Sequence, residues 1–558
     1  SESLALIKAL TLGDKSQIST QQWNVLSKSG TNHLMAISGL HIGLVAGIVY
    51  WLVFQCWLRV PSSIYSAPQV AAVFSFIVAL FYAALAGFSV PTQRALIMLG
   101  MLMLTILLRR HVKVLNVLAA ALLAVLMVDP LAVLSVGFYL SFLAVFCIIY
   151  VLSARLGGKN RFFSSLKVHG VVALGLLPAL LFFFQNVSII APIANIIAVP
   201  VVSFIVVPLS LLAVVFLQCV PDISVFLLQV VNFVFQVLWQ VLEFLVDWTF
   251  ASIVRPQPAL WHMLVAMLGV LLLLAPRGIP GRFLGILFVL PLFLVSNNKP
   301  TAGELTLTLL DVGQGLAVVI ETAEHSLVFD TGARFSDKFD MGRNVVIPFL
   351  HYQDITALDT LIISHADNDH IGGAEALLSF IPVQQVLSSV PDQLAPYNAI
   401  ACYAGDSWQW DQVSFQVLSP FHQSYKNEND NSCVLKVDTD HGSVLLTGDI
   451  EAAAEYYLSQ NASDQIEADV LIAPHHGSKT SSSVDFLARV KPAIILIPAD
   501  SPNRFGFPHA EVLSRYDEMG PEYFVTGRTG AITVKFHEGK VELEAYRDKH
   551  SRYWNGQK

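Results

Sequence analysis

The chain is short of charge. Of its 558 residues only 13% are Asp, Glu, Lys or Arg, whereas 54% are hydrophobic and the mean hydropathy is +0.61. A typical soluble domain carries about 25% charged residues. The low charge therefore excludes an ordinary soluble protein, and the hydrophobic excess predicts that most of the chain lies in lipid.

Cysteines are also few, and an ATP-binding motif is missing. The five cysteines form no CxxC pair and no even framework, so we expect neither a disulfide scaffold nor a zinc ribbon. The first 33 residues are mostly polar and lack a basic stretch followed by an apolar core, which argues against a cleaved signal peptide. No GxxxxGK[ST] occurs, so any ATP-driven transport requires a separate motor protein.

Charge is divided unequally along the chain. Residues 301–558 hold 35 of the 41 acidic and 17 of the 33 basic residues, a net charge of −18, which leaves +10 on residues 1–300. The composition changes near residues 297–300. We therefore predict a polar segment at 1–33, a multi-pass membrane domain at 34–296 and a separate acidic domain at 301–558.

Apolar stretches long enough to cross a hydrocarbon core of about 30 Å recur through the predicted membrane domain. Three prolines interrupt the longest stretch, which favours a broken or re-entrant helix there. We predict about ten crossings, at residues 34–56, 70–87, 93–108, 114–128, 131–152, 168–184, 187–218, 222–250, 260–275 and 283–296.

Basic loops predict the orientation of these crossings. Lys and Arg accumulate in cytoplasmic loops, and the loops at 109–113, 153–167 and 277–282 can all be cytoplasmic if ten segments cross. The same count places both the N-terminus and the acidic domain outside the cytoplasm. One span more or fewer would reverse the position of the acidic domain.

Three polar side chains lie in or beside the apolar segments. His41 stands among glycines spaced four apart in HLMAISGLHIGL, Arg94 follows a proline at a segment start, and Asn195 belongs to the proline-interrupted stretch. Polar groups at membrane depth are costly and tend to mark a pathway, so all three are candidate channel residues. The alternatives are a tight helix pair with an interfacial histidine, an arginine that reaches the interface, and a kinked packing helix.

From Glu304 onward, short strands replace the long apolar helices, and several strands end in Asp or His followed by glycine. Such strand ends bring ligands to one rim of a sandwich. Imidazole and carboxylate together suit Zn²⁺ or Mn²⁺, and a carboxylate from a separate strand can bridge two ions. The predicted metal ligands are His365, Asp367, Asp369 and His370 in SHADNDHIGG, Asp449 in LLTGD and His475 in APHHGS.

These motifs resemble one family. Through DVGQG, DTG, SHADNDHIGG, LLTGDI, PHHGS and NRFGFPHAEVL the acidic domain resembles the metallo-β-lactamase fold, and with HLMAISGLHIGL and PTQRA the whole chain resembles the ComEC family of DNA-internalisation proteins. The resemblance implies a polytopic α-helical membrane domain followed by an α/β (αββα) sandwich. It also implies an inner-membrane channel that brings single-stranded DNA into a competent bacterium, while the periplasmic C-terminal domain degrades the non-transported strand.

A two-metal phosphodiesterase, with Mn²⁺ or Zn²⁺, is the enzyme that this resemblance implies. The two ions share Asp449: His365 and Asp367 complete the first site, and Asp369, His370 and His475 the second. We expect catalytic roles for His365, Asp369 and Asp449, and a place behind the ligands or against the substrate for Asp330, His476, Asn503 and His509. The expected partners are DNA, membrane lipids, an external DNA-receptor protein and a cytoplasmic motor ATPase.

The sequence departs from the family pattern in four ways. Asp367 stands where the general motif has histidine, and NENDNSCVL lacks the histidine usually found before the bridging aspartate, so we expect Mn²⁺ rather than Zn²⁺. The family's GHPH appears as GFPH, which leaves His509 as the only imidazole there. The OB-like domain that usually precedes the first helices is absent from this chain, so we expect a short form or a fragment.

Two other functions stay open. A non-catalytic docking or gating module on a DNA channel is favoured by the net charge of −18, because nucleic-acid surfaces are normally basic. A hydrolase of a small ester, fused to an unrelated transporter, fits the same sandwich, because a fold does not determine its substrate. The assignment to DNA therefore depends on the family resemblance.

Overall fold

A computed structural model of the chain describes residues 2–60, 64–153, 161–248, 250–276, 278–295, 297, 299–421 and 425–551. The chain divides into two compact units, Ser1–Val295 and Ser296–Lys558. Three basic residues that contribute to the predicted orientation, Arg155, Lys159 and Arg277, lie outside the described residues.

The first unit is built from helices, several of which begin at a serine whose side chain caps the first turn. Ser19 and Gln22, for example, exchange hydrogen bonds of 3.2 and 3.0 Å that satisfy two otherwise unpaired amides. A short antiparallel ribbon joins β1 (Asn186–Ser188) to β2 (Ser252–Val254). The helices are α1 (Glu2–Leu12), α2 (Thr20–Lys28), α3 (Gly39–Trp57), α4 (Ala67–Leu85), α5 (Val90–Leu107), α6 (Val114–Val128), α7 (Val136–Ser153), α8 (Arg161–Phe184), α9 (Ala191–Val201), α10 (Val207–Phe216), α11 (Pro221–Val246), α12 (Leu260–Leu274) and α13 (Gly285–Val289).

Within the described residues, six helical stretches are long and apolar enough to cross a membrane. They are Gly39–Trp57, Ala67–Leu85, Val90–Leu107, Lys167–Phe184, Ala191–Phe216 and Pro221–Val246. The other four predicted segments contain the shorter apolar helices Val114–Val128, Val136–Leu152, Leu260–Leu274 and Arg282–Phe293. The ten-span count, and the orientation derived from it, therefore stay predictions.

The N-terminal segment is more ordered than its polarity suggests. Residues 2–33 include α1 and α2, and Leu6 and Leu10 of α1 are at most 1% exposed in the core of the first unit. These leucines are four residues apart and share one helix face. The narrow apolar stripe on α1 therefore explains why this segment packs into the core, although its average polarity does not predict that it would.

The proline-interrupted stretch forms a continuous helical span instead of a broken one. Helices α9 and α10 are joined by a π-helical turn at Val202–Val206, and the span Ala191–Phe216 is unbroken. Pro200 and Pro208 flank this turn. Because proline cannot donate the usual backbone hydrogen bond, a local π-turn is a common way to accommodate it within a helix.

The second unit contains two large mixed sheets and one small hairpin. The eight-stranded sheet has the order β10-β9-β8-β5-β4-β3-β18-β19, and the seven-stranded sheet runs from β11 to β17 in sequence order. The strands are β3 (Leu305–Leu309), β4 (Val318–Glu321), β5 (Ser326–Phe329), β6 (Arg334–Ser336), β7 (Phe339–Asp340), β8 (Leu358–Ile363), β9 (Val383–Ser388), β10 (Ile400–Ala401), β11 (Ser407–Trp410), β12 (Val413–Ser419), β13 (Val434–Thr439), β14 (Gly442–Leu446), β15 (Val470–Ile472), β16 (Ile494–Ile497), β17 (Glu522–Val525), β18 (Ile532–His537) and β19 (Lys540–Ala545).

Three cores give this unit its αββα layers. One core joins the facing sides of the sheets, through residues such as Leu307 and Leu435, and the other two lie under helices on the outer faces. Strands β5, β8, β9 and β10 pair in parallel, as do β14 to β17. The helices are α14 (Ile347–Tyr352), α15 (Asn368–Ile371), α16 (Ala374–Phe380), α17 (Ala452–Asn461), α18 (Val484–Val490), α19 (Ala510–Met519), α20 (Thr526–Thr529) and α21 (Tyr546–Lys549).

A disulfide joins Cys402, just after β10, to Cys433, just before β13. The sequence predicts no disulfide scaffold, and this single disulfide is a pairing that the sequence analysis did not predict. The two cysteines are 31 residues apart, and both are almost completely buried where the two sheets face each other. Their proximity depends on the packing of two sheets, so their spacing in the sequence gives no signal.

Candidate metal centre

The stretch SHADNDHIGG connects β8 to α15 and α16. Its two glycines are required by close packing: a Cβ at Gly372 would lie 2.3 Å from the backbone nitrogen of Arg334, and one at Gly373 would lie 2.4 Å from that of Gly342. Only glycine fits so near another backbone. The motif is therefore pressed against the loop that follows β5, and its acidic and imidazole side chains meet residues from that loop.

Asp330, directly after β5, anchors this loop. Its backbone is left-handed, with φ of 59°, and the residue is fully buried. One carboxylate oxygen accepts from the Ser364 amide at 2.7 Å, and the other accepts from the Ser364 hydroxyl at 2.6 Å and from His370 Nδ1 at 2.7 Å. With both oxygens engaged, Asp330 holds the His370 ring in position, and its predicted place behind the metal ligands stays a prediction.

Three buried histidines share one arrangement. His370 Nδ1 donates to Asp330, His476 Nδ1 donates to the Pro498 carbonyl at 2.9 Å, and His365 Nδ1 lies 3.0 Å from the Ser364 hydroxyl. Anchoring Nδ1 leaves Nε2 free to bind a metal ion. In each of the three rings, Nε2 is therefore the nitrogen that is available to bind a metal ion.

Asp449 brings the second sheet to these rings. It follows β14 in LLTGD, and its carboxylate lies 3.0 Å from His370 Nε2 and 3.3 Å from His476 Nε2. The two imidazole Nε2 atoms are themselves 3.2 Å apart. Ligand atoms of His365, His370 and Asp449 lie within 4.8 Å of one another, and so do those of Asp369, His370 and His476.

The electrostatics of the centre are dominated by buried opposite charges. Burial opposes a charge on His370, but Asp449 and Asp330 outweigh it and raise its pKa well above 6.5. In the same way, burial is outweighed at His476, where Asp449 and Asp369 raise the pKa to about 9. Burial also opposes ionisation of Asp449, yet His370 and His476 hold its pKa well below 3.8. The carboxylates thus attract positive charge into the space between the rings.

Divalent ions fit this donor set. The three rings and Asp449 are almost fully buried, and His365 Nε2 has no hydrogen-bond partner within the described part of the chain. An unpartnered buried nitrogen is costly unless a ligand satisfies it. The Nε2 atoms of His370 and His476 lie 3.2 Å apart and are flanked by carboxylates, an arrangement that a cation bound between them would stabilise. The fold and these residues together therefore indicate a centre that binds divalent metal.

Two of the predicted ligands lie at the edge of this group. Asp367 is 51% exposed, and its carboxylate is 3.6 Å from His365 Nε2. His475 is 20% exposed; its Nδ1 lies 3.3 Å from Glu451, and its Nε2 lies 3.8 Å from Asp449. The structure thus brings His476, predicted to lie behind the ligands, into the tight group and places the predicted ligand His475 beside it.

The other two predicted neighbours organise loops. Asn503 accepts from the amides of Phe505 at 3.1 Å and Phe507 at 3.0 Å, and its side-chain amide donates to the Asp500 carbonyl. His509 caps α19, because its Nδ1 accepts from the Glu511 amide at 3.3 Å. Neither side chain belongs to the tight groups around Asp449.

In the first unit, the three candidate channel residues are at least partly buried. His41 Nδ1 accepts from the Ser38 amide at 3.4 Å, Arg94 donates to the Ser135 hydroxyl at 3.2 Å, and Asn195 donates to the Gly30 carbonyl at 3.4 Å. One polar atom on each lacks a partner among the described residues: His41 Nε2, Arg94 Nε and Asn195 Oδ1. These contacts fit both packing and a pathway, so the channel role stays a prediction.

Sequence reasoning missed Ser364 and Glu451. Ser364 binds Asp330 and lies next to His365, and Glu451 faces His475. Both stand within two residues of a predicted ligand, so the motifs SHADNDH and LTGDIE carried the only available signal.

The strand-end ligands on an αββα sandwich define the second unit as a metallo-β-lactamase-type hydrolase fold. The model of the metallo-beta-lactamase superfamily matches residues 310–499, and the model of the competence protein family matches residues 10–279. The chain belongs to the ComEC family of competence proteins.

Curated relatives match along almost the whole chain. "Recombination protein 2" of Haemophilus influenzae is 33% identical over 98% of this chain and 74% of that protein. "Competence protein ComA" of Neisseria gonorrhoeae is 32% identical over 99% of this chain and 77% of that protein. Among solved structures, a "Putative metal-dependent hydrolase" from Parabacteroides distasonis is similar with 13% identity and a TM-score of 0.30, over 42% of this chain and 98% of that one.

Proposed function

We propose that this protein takes up DNA during natural transformation: the membrane unit passes a single strand, and the C-terminal unit is a two-metal nuclease that degrades the other strand. Membership of the competence family supports the role in uptake. The observation that carries the nuclease is the convergence of three anchored imidazoles on Asp449 and Asp369. In this scheme an external receptor delivers DNA and a separate cytoplasmic ATPase pulls it.

In the proposed site His365, His370, His476, Asp369 and Asp449 hold two ions, Mn²⁺ or Zn²⁺, and Asp367 and His475 complete them from the more exposed side. Divalent ions bound there would neutralise phosphate charge and acidify water. Asp330 holds the proton on His370 Nδ1, and the Pro498 carbonyl holds the proton on His476 Nδ1, so neither ring can turn away.

Asp369 is suited to accept a hydrogen bond from the attacking water and to orient it. Burial opposes its ionisation, but the hydrogen bond from His476 lowers its pKa to about 2, so the carboxylate is ionised. Its side chain is 30% exposed, unlike that of Asp449 at 4%. Asp369 therefore contacts both the buried rings and the side from which substrate arrives, and it orients water for in-line attack on phosphorus.

The periplasm is the proposed location of the C-terminal unit. The disulfide between Cys402 and Cys433 supports it, because disulfides persist in oxidising compartments and are rare in the cytosol. The location is also consistent with the chemistry, since a nuclease in the cytoplasm would threaten the imported strand.

The non-catalytic docking or gating module is the second candidate. The net charge of −18 on residues 301–558 favours it, because phosphate contacts dominate nucleic-acid affinity. Under this alternative the metal centre stabilises the fold and no phosphodiester is cleaved.

The test uses the full chain, purified in detergent, with metal content measured on the samples used for cleavage of labelled single- and double-stranded DNA. Asp449→Asn should lower cleavage by orders of magnitude, because it removes the carboxylate common to both ions, while Asp485→Asn, an exposed carboxylate on α18, should change nothing. His476→Ala should be more damaging than His475→Ala. Wild-type protein that binds metal but leaves DNA intact would favour the docking module. Cleavage of small esters alone would favour the small-ester hydrolase.

A further inference from the structure

A row of aromatic rings runs from the metal centre to the surface. The Phe507 ring stacks on His476, with centroids 6.4 Å apart, and meets His475 edge-on at 5.7 Å. Phe505 in turn stacks on Phe507, with centroids 5.7 Å apart and 17° between the planes. Phe505 is 50% exposed, so the row ends with an aromatic ring at the surface.

The loop that carries these rings is held in place. The Asn503 side chain accepts hydrogen bonds from the backbone amides of both phenylalanines, and it donates to the carbonyls of Asp500 and Phe507. Gly506, between the two rings, has φ of 71° and no neighbour within 4 Å of an added Cβ. The exposed ring is therefore positioned before any ligand arrives, which lowers the entropy cost of binding.

Positive charge accompanies the rings in a unit that is otherwise acidic. The Arg504 guanidinium lies 4.6 Å from the centre of the Phe505 ring, and Arg528 lines the same cavity as Asn503 and Phe507. Both arginines are exposed, and neither forms an ion pair within the described residues. The cavity is also lined by one carboxylate, Asp500, so the two guanidinium groups leave a net positive charge for an anionic ligand beside the rings.

Stacked rings with adjacent arginines are a recognition surface for unpaired nucleobases and their phosphates. We propose that Phe505 and Phe507 form a platform on which one base of single-stranded DNA stacks. The base takes the place of the Arg504 guanidinium over the Phe505 ring, and Arg504 and Arg528 then bind the neighbouring phosphates. The platform leads to His475 and His476, so it places the phosphodiester beside the stacked base at the metal centre. This inference rests on the proposed nuclease function and adds its strand preference: unpaired DNA, or a frayed end, is bound ahead of intact duplex, whose bases are already stacked.

The experiment measures binding without turnover. The full chain in detergent, stripped of metal with EDTA, is titrated into a 12-nucleotide single strand that carries 2-aminopurine, and anisotropy and base fluorescence are recorded. Phe505→Ala and Phe505→Leu should both weaken binding about 5- to 150-fold, the range that loss of one stacked base produces. Phe505→Tyr should retain it. Leucine separates stacking from apolar contact, because it keeps apolar bulk without an aromatic face.

Tyr456→Ala is the matched control, since it removes an exposed aromatic ring, 64% accessible, from α17. It should leave affinity and fluorescence unchanged. Duplex of the same length should show no difference between wild type and Phe505→Leu. Equal single-strand affinity for wild type, Phe505→Ala and Phe505→Leu overturns the platform, even if metal-dependent DNA cleavage persists. A wild type that neither binds nor cleaves DNA overturns the proposed function and the platform together.

Discussion

Asp330→Asn should impair metal binding far more than folding. In the wild type, the carboxylate can only accept, so His370 Nδ1 must carry a proton, and an ion that binds at Nε2 displaces only the proton held there by Asp449. Asparagine keeps one oxygen for the Ser364 amide and tolerates the left-handed backbone at this position. Its NH₂ group, however, would donate to His370 Nδ1 and favour the opposite tautomer, with the proton on Nε2.

The expected losses of metal affinity and of folding stability follow from these contacts. Loss of a partner that orients a metal-binding histidine typically costs 10- to 100-fold in metal affinity, or about 1.4 to 2.7 kcal/mol. Folding should lose less, about 1 kcal/mol, because the amide contact of Ser364 survives. Asp330→Ala differs: it leaves the buried Ser364 amide and hydroxyl unpaired and strains a non-glycine residue at φ of 59°, so we expect a loss of about 3 kcal/mol or more in the free energy of unfolding.

Competition against a fluorescent chelator gives the metal affinity of the full chain in detergent, and denaturant unfolding of the apoprotein gives its stability. The expected pattern is weak metal binding with near-normal stability for Asp330→Asn, and loss of both for Asp330→Ala. Wild-type affinity in Asp330→Asn would refute the assigned tautomer. A loss of stability equal to that of the alanine variant would show that Asp330 is only a structural residue.

Three further predictions concern the same unit. Asp367→His adds an imidazole beside His365, so the ratio of zinc to manganese affinity should rise in a metal competition assay; an unchanged ratio would exclude Asp367 from the first site. Replacing Cys402 and Cys433 by serine should lower the free energy of unfolding by about 3 to 4 kcal/mol, as expected for a 31-residue closure, and reductant should then have no further effect. Burial raises the pKa of Glu321 to about 7, above its unfolded value of 4.5, so folding takes up a proton between these values and stability falls as pH rises through them. Glu321→Gln should remove about 3 kcal/mol from the change in unfolding free energy over this pH range. An unchanged pH profile of unfolding in this variant would contradict the raised pKa of Glu321.

The sequence predicts what is encoded locally. SHADNDHIGG and LLTGD each follow an apolar strand, and parallel strands in both sheets end at the same rim, so a centre formed by His365, His370 and Asp449 can be expected from the motifs alone. The apolar segments are equally evident, because length and hydropathy are properties of a single stretch.

What the sequence cannot decide depends on distant partners. His475 and His476 are adjacent and both have a left-handed backbone, with φ of 47° and 54°. Which ring enters the centre is decided by the Pro498 carbonyl, 22 residues away, which holds His476 Nδ1. His509 differs, because its partner is local: its Nδ1 accepts from the amide of Glu511, two residues away, and this capping bond competes with any role as a ligand.

The net charge of −18 on residues 301–558 is a weaker argument against DNA binding than its size suggests. At physiological ionic strength exposed charges are screened beyond about 8 Å, so a DNA strand responds mainly to the charges beside it. Near the centre, Asp369 and Asp449 are paired with imidazoles, and two divalent ions would add four positive charges. Arg504 adds a positive charge over the Phe505 ring, and Arg528 adds one in the cavity that Phe507 lines. Under the proposed function, acidic surface elsewhere would repel duplex DNA that lies flat on the unit, whereas a single strand that ends at the metal centre would be attracted. The acidic composition is then consistent with the proposed entry of DNA by an unpaired end.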